Sequence, residues 1–371
     1  MPKVYINGKF VAQPVTGVQR FAREIVAALD GLLAEEHAAD GTDFVLVVPT
    51  GSAAHLPGLK RIRVVELAGR PLHAWEQIRL PFFTRGAALV NLSGSAPLFK
   101  RRQVCTFHDA AVFDVPQAYS KAFVRWYRLL FRMQAWLCRG LLTVSEFSRA
   151  RLSHHLRIAP AQFGVIPNGA DHIAAVACDE RVLKEHRLEP GRYLLAVGSG
   201  NPSKNFATLL EAFSTLDETS PTHLVVVGGS NDAVFAAQWP LREQEPAVVK
   251  TGRVDDARLK TLYTHARAFV FPSLYEGFGI PPLEAMMCGC AVVASDAASM
   301  PEVCGAAAGY FDPTSKVSIG QVLARVLRDD AWHTALCEAG REHVRTFTWK
   351  AAAIRLLAEL RRFGIVQMPP R

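Results

Sequence analysis

The chain has 371 residues, half of them hydrophobic and a fifth charged, with a formal net charge of +8 at pH 7. That length exceeds one typical core and predicts a soluble globular protein of two domains. No apolar run reaches the roughly 18 residues of a membrane span, and Cys288 and Cys290 form a C-x-C without a partner pair, which argues against zinc.

In the first half, short apolar runs at 44–49, 61–67, 88–92, 104–109 and 141–145 read as strands. Between them, "KAFVRWYRLLFRMQAWLCRG" (121–140) reads as a helix rich in cations and free of acids. Asn168–Gly169 is a turn signal, and the next twenty residues form a connector with a helix of its own. Further strands are predicted at 193–199, 223–229, 247–252, 268–273 and 291–295. Nearly unbroken apolar runs separated by helices indicate parallel sheets covered on both faces, so the fold class is α/β, present twice. The last helical pattern, 348–363, follows the second sheet and is open to either domain; the division taken is 1–171 completed by 348–371, and 172–347.

The stretch "LYEGFGIPPLEAMMCG" (274–289) carries the chemistry. It joins a strand to a helix at the carboxyl end of a parallel sheet, where α/β folds bind ligands. Pro281 or Pro282 suits the first helical turn and Gly289 its end. Gly277 and Gly279 permit close backbone approach, and the amides and helix dipole favour an anion. Carboxylates at Glu276 and Glu284 make sense if the ligand also offers hydroxyls, as a sugar on each side of a diphosphate does. Read alone, Glu284 is equally a first-turn acid favoured by the dipole, and Glu276 an exposed loop acid.

E-G-F-G-[IL]-x-x-x-E, with seven residues between Glu276 and Glu284, resembles the signature of retaining glycosyltransferases of family four. "GVQRFAREI" (17–25), "WEQIRLP" (75–81), "FHDAAVF" (107–113), "TVSEFSRARL" (143–152), "VIPNGAD" (165–171) and "VGSGNPSKNFATLLEAF" (197–213) are similar to further family motifs, in family order. The resemblance implies a GT-B fold, two Rossmann-like domains facing each other across a cleft, and a nucleotide-sugar donor held mainly by the second.

On that resemblance, Glu284 binds the ribose diol and Glu276 the donor-sugar hydroxyls. The amides of Gly277, Phe278 and Gly279, with Ile280 next to them, hold phosphate or sugar oxygens. Lys204 of "NPSKN" is the cation beside the leaving diphosphate; its plain alternative is a solvated lysine at a helix start. The arginine that the family often places near this lysine is replaced by Ser203 and Ser199. Charge compensation then falls to Lys204, the amides and Arg253, with Ser199 kept among the donor contacts; Arg253 is equally a base contact or a surface residue. Gly17 approaches the phosphates from the first domain. His108 lies near the transferred sugar, and Asp109 orients the acceptor or caps its loop. Ser145 and Ser148 read as helix-start residues.

The implied reaction is hexosyl transfer with retention and no required metal or other cofactor. The "GFGIPPLEAM" wording is similar to mannosyl- and rhamnosyltransferases of bacterial surface-polysaccharide pathways, so GDP-mannose is the first donor expected and a glycan or lipid-diphosphate-linked molecule the acceptor. The alternatives are a sugar-nucleotide epimerase on the same double fold and an inactive nucleotide-sugar-binding module. "VGSGNPS" and "VVVGGSND" do not complete a dinucleotide fingerprint. The absence of a signal-peptide core in "MPKVYINGKF" and the odd cysteine count fit a reducing cytosol. Arg125, Arg128 and Arg132 share a helical face with apolar neighbours, which suits either the core or peripheral contact with anionic lipid. No nucleic-acid module is recognised.

Overall fold

The computed structural model describes residues 2–35, 41–56, 58–69, 71–216, 223–228 and 248–367. The start of the strand expected at 247–252, the end of that at 223–229 and part of "VVVGGSND" lie outside them. Two compact units are present: Met1–Gly169 with Thr348–Arg371, and Ala170–Phe347.

The first unit holds seven strands: β1 (Lys3–Asn7), β2 (Asp43–Pro49), β3 (Arg63–Leu67), β4 (Ala88–Asn91), β5 (Gln103–Thr106), β6 (Gly140–Thr143) and β7 (Phe163–Val165). All described pairs are parallel, in the order β3-β2-β1-β4-β5-β6-β7. β1 and β7 were not among the expected strands. "KVYIN" mixes a lysine and an asparagine into its apolar run, and β7 is three residues long with a glycine in its middle. That glycine has a physical reason. A Cβ at Gly164 would fall 2.5 Å from the Glu359 carboxylate carbon on the C-terminal helix, Trp349–Arg362. The same helix buries Trp349, Leu356, Leu357 and Leu360 and packs against the helix Gly17–Glu35, with the Phe21 and Trp349 rings 6.1 Å apart. Each large side chain so buried contributes roughly 1.5–3 kcal/mol.

The basic segment forms the helix Lys121–Leu137, capped by Ser120 and buried through Val124, Leu130, Phe131 and Gln134. Its outer face carries Arg125, Trp126, Leu129, Arg132 and Trp136 at helical spacing; Trp126 is 49% and Trp136 83% exposed. The three arginines do not share one role. Arg128 turns inward, donating from Nε to the Val112 carbonyl at 2.8 Å, and its guanidinium shares the Phe113 ring with that of Arg132. A shared spacing did not prevent this, because the long side chain reaches the last-turn carbonyls of the short helix Ala111–Asp114.

The second unit holds β8 (Tyr193–Val197), β9 (His223–Val227), β10 (Val248–Gly252), β11 (Ala268–Phe271), β12 (Ala291–Ser295) and β13 (Gly309–Phe311). The order is β10-β9-β8-β11-β12-β13, again with all described pairs parallel. β13 is a further three-residue strand missing from the sequence reading. Strand order reverses between β8 and β11, and the carboxyl ends of the strands at such a switch point are where open α/β sheets bind ligands.

Candidate active site

Both loops at this switch point carry expected residues. β8 runs into Gly198, Ser199 and the 3₁₀ turn Pro202–Lys204, where the Asn201 side chain accepts from the Ser203 amide at 2.9 Å. Asn205 follows in a left-handed conformation, φ 58°. Its side-chain amide donates to the Pro272 carbonyl at 3.1 Å and the Pro313 carbonyl at 2.7 Å. The Leu274 amide donates back to the Ser203 carbonyl at 2.8 Å. The two loops are thereby stitched together, and Lys204 Nζ meets Glu276 Oε1 at 2.5 Å. Both side chains are largely shielded, 23% and 16% exposed, and Nζ lies 5.7 Å from the Phe271 ring centre.

Past Glu276 the chain turns sharply. The Ser299 hydroxyl lies 3.0 Å from the carbonyls of both Glu276 and Phe278. Gly279 takes φ 92°, and a Cβ there would stand 2.4 Å from Met300 Cε, so only glycine fits without displacement. Gly277, Phe278 and Ile280 are buried. The helix runs Ile280–Met287, with prolines in its first turn. Glu284 is therefore its fifth residue, not a first-turn acid, and the dipole does not account for it. The helix begins at Ile280, before both prolines. Glu284 is buried, 7% exposed. Its Oε1 accepts from His172 Nε2 at 3.0 Å and its Oε2 from the Tyr263 hydroxyl at 3.1 Å.

The other donor-site residues stand in different places: Ser199 shares the β8 loop with Lys204, whereas Arg253 follows β10. Ser199 is exposed immediately after β8. Arg253 is exposed just past the edge strand β10. Two strand spacings, about 10 Å, separate that strand from β8.

In the first unit, Gly17 is the exposed first residue of its helix, with open space around its Cβ position. His108 follows β5. Its Nε2 stands 2.8 Å from the Leu92 carbonyl, so that nitrogen carries the proton, and the Phe21 ring packs edge-on at 5.0 Å. Burial pulls its pKa down to about 4, partly opposed by the Leu92 hydrogen bond; the imidazole is neutral at physiological pH, with Nδ1 as its acceptor. Asp109 caps its own turn, accepting from the Ala111 amide at 2.8 Å. Ser145 caps the helix Glu146–Leu156 by accepting from the Ser148 amide at 3.0 Å.

Sequence reasoning passed over two groups. Neither His172 nor Tyr263 was singled out in the sequence; His172 directly follows "VIPNGAD", which was its one signal, and Tyr263 carried none. In the first unit, Lys9 Nζ donates to Glu76 Oε2 at 2.7 Å, both side chains under 5% exposed. Asn7 and Ser95 donate to the other carboxylate oxygen. Glu76 sits in a π-helical turn, Trp75–Arg79, inside the "WEQIRLP" motif. Among the described residues no group of three or more His, Cys, Asp or Glu could hold a metal ion.

Residues 15–173 match the family described as Glycosyltransferase Family 4, and residues 180–343 that described as Glycosyl transferases group 1. The O-antigen chain mannosyltransferase B of Escherichia coli is 34% identical over 257 residues, 67% of each chain. The serotype-specific mannosyltransferase WbdA of the same organism is 31% identical over 57% of this chain, which spans only 26% of it. Among solved structures, sucrose-phosphate synthase from Thermosynechococcus elongatus aligns with a TM-score of 0.74 at 19% identity, over 98% of this chain and 99% of that one. At that identity the likeness shows the fold, two Rossmann-like units of GT-B type.

Proposed function

The chain belongs to the glycosyltransferases of family 4, enzymes of hexosyl transfer, and from that premise we propose that it moves a hexose, with retention, from a ribonucleoside-diphosphate sugar to a growing surface glycan or its lipid-linked precursor. The observation that carries the reading is the contact of Lys204 with Glu276 at the mouth of a glycine turn, with Glu284 one helical step behind it.

In this reading the diphosphate lies against the amides of residues 277–279 and Lys204, and Glu284 accepts from the ribose hydroxyls. Glu276 accepts from hydroxyls of the transferred sugar, so neither acid is a nucleophile. As the bond from the anomeric carbon to phosphate breaks, Lys204 stabilises the charge gathering on the leaving oxygen. The acceptor hydroxyl attacks from the same face, and its proton passes to that phosphate oxygen. His108, neutral and with its Nε2 proton directed at Leu92, offers Nδ1 as an acceptor; its part near the sugar rests on the family resemblance. Ser199, Arg253 and Gly17 keep only secondary places, as exposed groups near the ends of their strands or helix.

The mannosyltransferase names of the relatives support mannose as the sugar, and GDP is the nucleotide proposed to carry it. Nothing in the comparisons supports the epimerase reading. The outer face of the helix Lys121–Leu137, with two tryptophans among arginines, suits peripheral contact with anionic lipid at the inner face of the plasma membrane; no described helix is long and apolar enough to cross a membrane. A thermal-shift panel of UDP-, GDP- and dTDP-sugars tests the donor assignment. GDP-mannose should raise the melting temperature most, and turnover should survive a chelator. A panel in which no sugar nucleotide moves the transition would end the proposal.

A further inference from the structure

We propose that His172 and Tyr263 are positioning residues that clamp the Glu284 carboxylate so that it selects ribonucleoside donors over 2′-deoxyribonucleoside ones; this rests on the reading of Glu284 as the ribose-binding acid. The clamp is assembled from three places in the second unit. His172 lies in the 3₁₀ turn Asp171–Ile173, Tyr263 in the helix Asp256–His265 and Glu284 in the helix Ile280–Met287. The two donors take different oxygens, at 3.0 and 3.1 Å.

That division matters. The last torsion of a glutamate is broad, and a single donor would leave the carboxylate free to swing about one hydrogen bond. Two donors, one per oxygen, fix its plane. An ionised carboxylate has about four acceptor positions, so one further position remains on each oxygen. Two fixed acceptors side by side match two adjacent hydroxyls of a ribose, and a 2′-deoxyribose leaves one of them unanswered. A site built to hydrogen-bond a hydroxyl discriminates strongly against the analogue lacking it.

The clamp is itself rigid. The His172 side chain is 5% exposed, and the Tyr263 ring packs edge-on against Phe269 of β11 at 5.3 Å. Burial, and then the adjacent Glu284, push the Tyr263 hydroxyl well above its ordinary pKa, so it stays a donor. Since Glu284 accepts, His172 donates from Nε2.

Calorimetric titration of the whole protein with GDP against 2′-deoxy-GDP, and UDP against 2′-deoxy-UDP, reads the clamp directly. The wild type should favour the ribonucleotide of the preferred base by about ten- to a hundredfold, one hydrogen bond to a charged group. Glu284→Ala should bring the ratio to about one. His172→Ala and Tyr263→Phe should each lower it severalfold, while His172→Gln, which keeps an N–H near the Nε2 position, should restore much of it. A merely structural role would change stability or overall affinity and leave the ratio alone. If Glu284→Ala abolishes the preference but folded His172→Gln and Tyr263→Phe proteins both show the wild-type ratio, and so does any His172→Ala protein that folds, the clamp is wrong and the ribose assignment stands. If the wild type shows no preference and Glu284→Ala changes nothing, both fall.

Discussion

Replacing Lys204 by alanine separates two things the lysine does. Its ammonium donates to Glu276 at 2.5 Å from a position only 23% exposed. In the reaction it would be the one side-chain cation of the β8 loop beside the leaving diphosphate. Loss of one preorganised donor at a developing anion costs about 2.7–4 kcal/mol, or roughly 10²–10³ in kcat. Separately, the partly shielded Glu276 carboxylate loses its counterion. That term is about 1–3 kcal/mol for a buried group, and water access at this exposure brings it near 1 kcal/mol. The two effects divide in a double-mutant cycle. Lys204→Ala should lower kcat by at least a hundredfold and stability by about 1 kcal/mol, and adding Glu276→Ala should recover most of the stability but none of the turnover. Steady-state kinetics and urea unfolding on the four proteins give both numbers. A folded Lys204→Ala enzyme with kcat within threefold of wild type would refute the assignment of the leaving-group cation.

Three other outcomes follow from the same geometry. His108 has a folded pKa of about 4 against an ordinary 6.5, so between those values the unfolded chain binds more protons; its contribution is present above pH 6.5 and lost as pH falls toward 4, about 3 kcal/mol in all. Urea midpoints at pH 4.5 and 7 should show that slope, and His108→Gln should flatten it. Gly279→Ala should cost about 2–3 kcal/mol, because φ 92° is strained for any side chain and Met300 must move; a melting temperature unchanged within a degree would contradict this. The double variant Trp126→Ala, Trp136→Ala should co-sediment less with anionic liposomes while keeping turnover on a soluble acceptor, and equal sedimentation would remove the lipid-facing role of that helix.

Most strands of both sheets, edge and interior alike, were legible because a parallel sheet covered on both faces demands unbroken apolar runs. The three strands that were missed fail that test for local reasons. β1 carries a lysine and ends in Asn7, whose side chain is committed to the buried Glu76 network. β7 yields its central side chain to the C-terminal helix, and β13 is three residues long. Lys204 and Glu276 could be named from the sequence, but their contact could not, since 72 residues separate them and Asn205 does the stitching from a left-handed turn. The setting of Glu284 was misjudged for one residue's reason. The helix starts at Ile280, and a buried second-turn acid needs partners, which His172 and Tyr263 supply from remote parts of the chain.

The return of the last helix to the first sheet has a consequence for how the molecule is made. The cover over β7 and the partner of the Gly17–Glu35 helix are encoded after the entire second unit. On a ribosome adding roughly 5–20 residues per second, the 178 intervening residues, 170 to 347, take about 10–35 s to emerge. Throughout that delay the nascent first half presents an uncovered apolar flank, the moment at which a chaperone has most to shield.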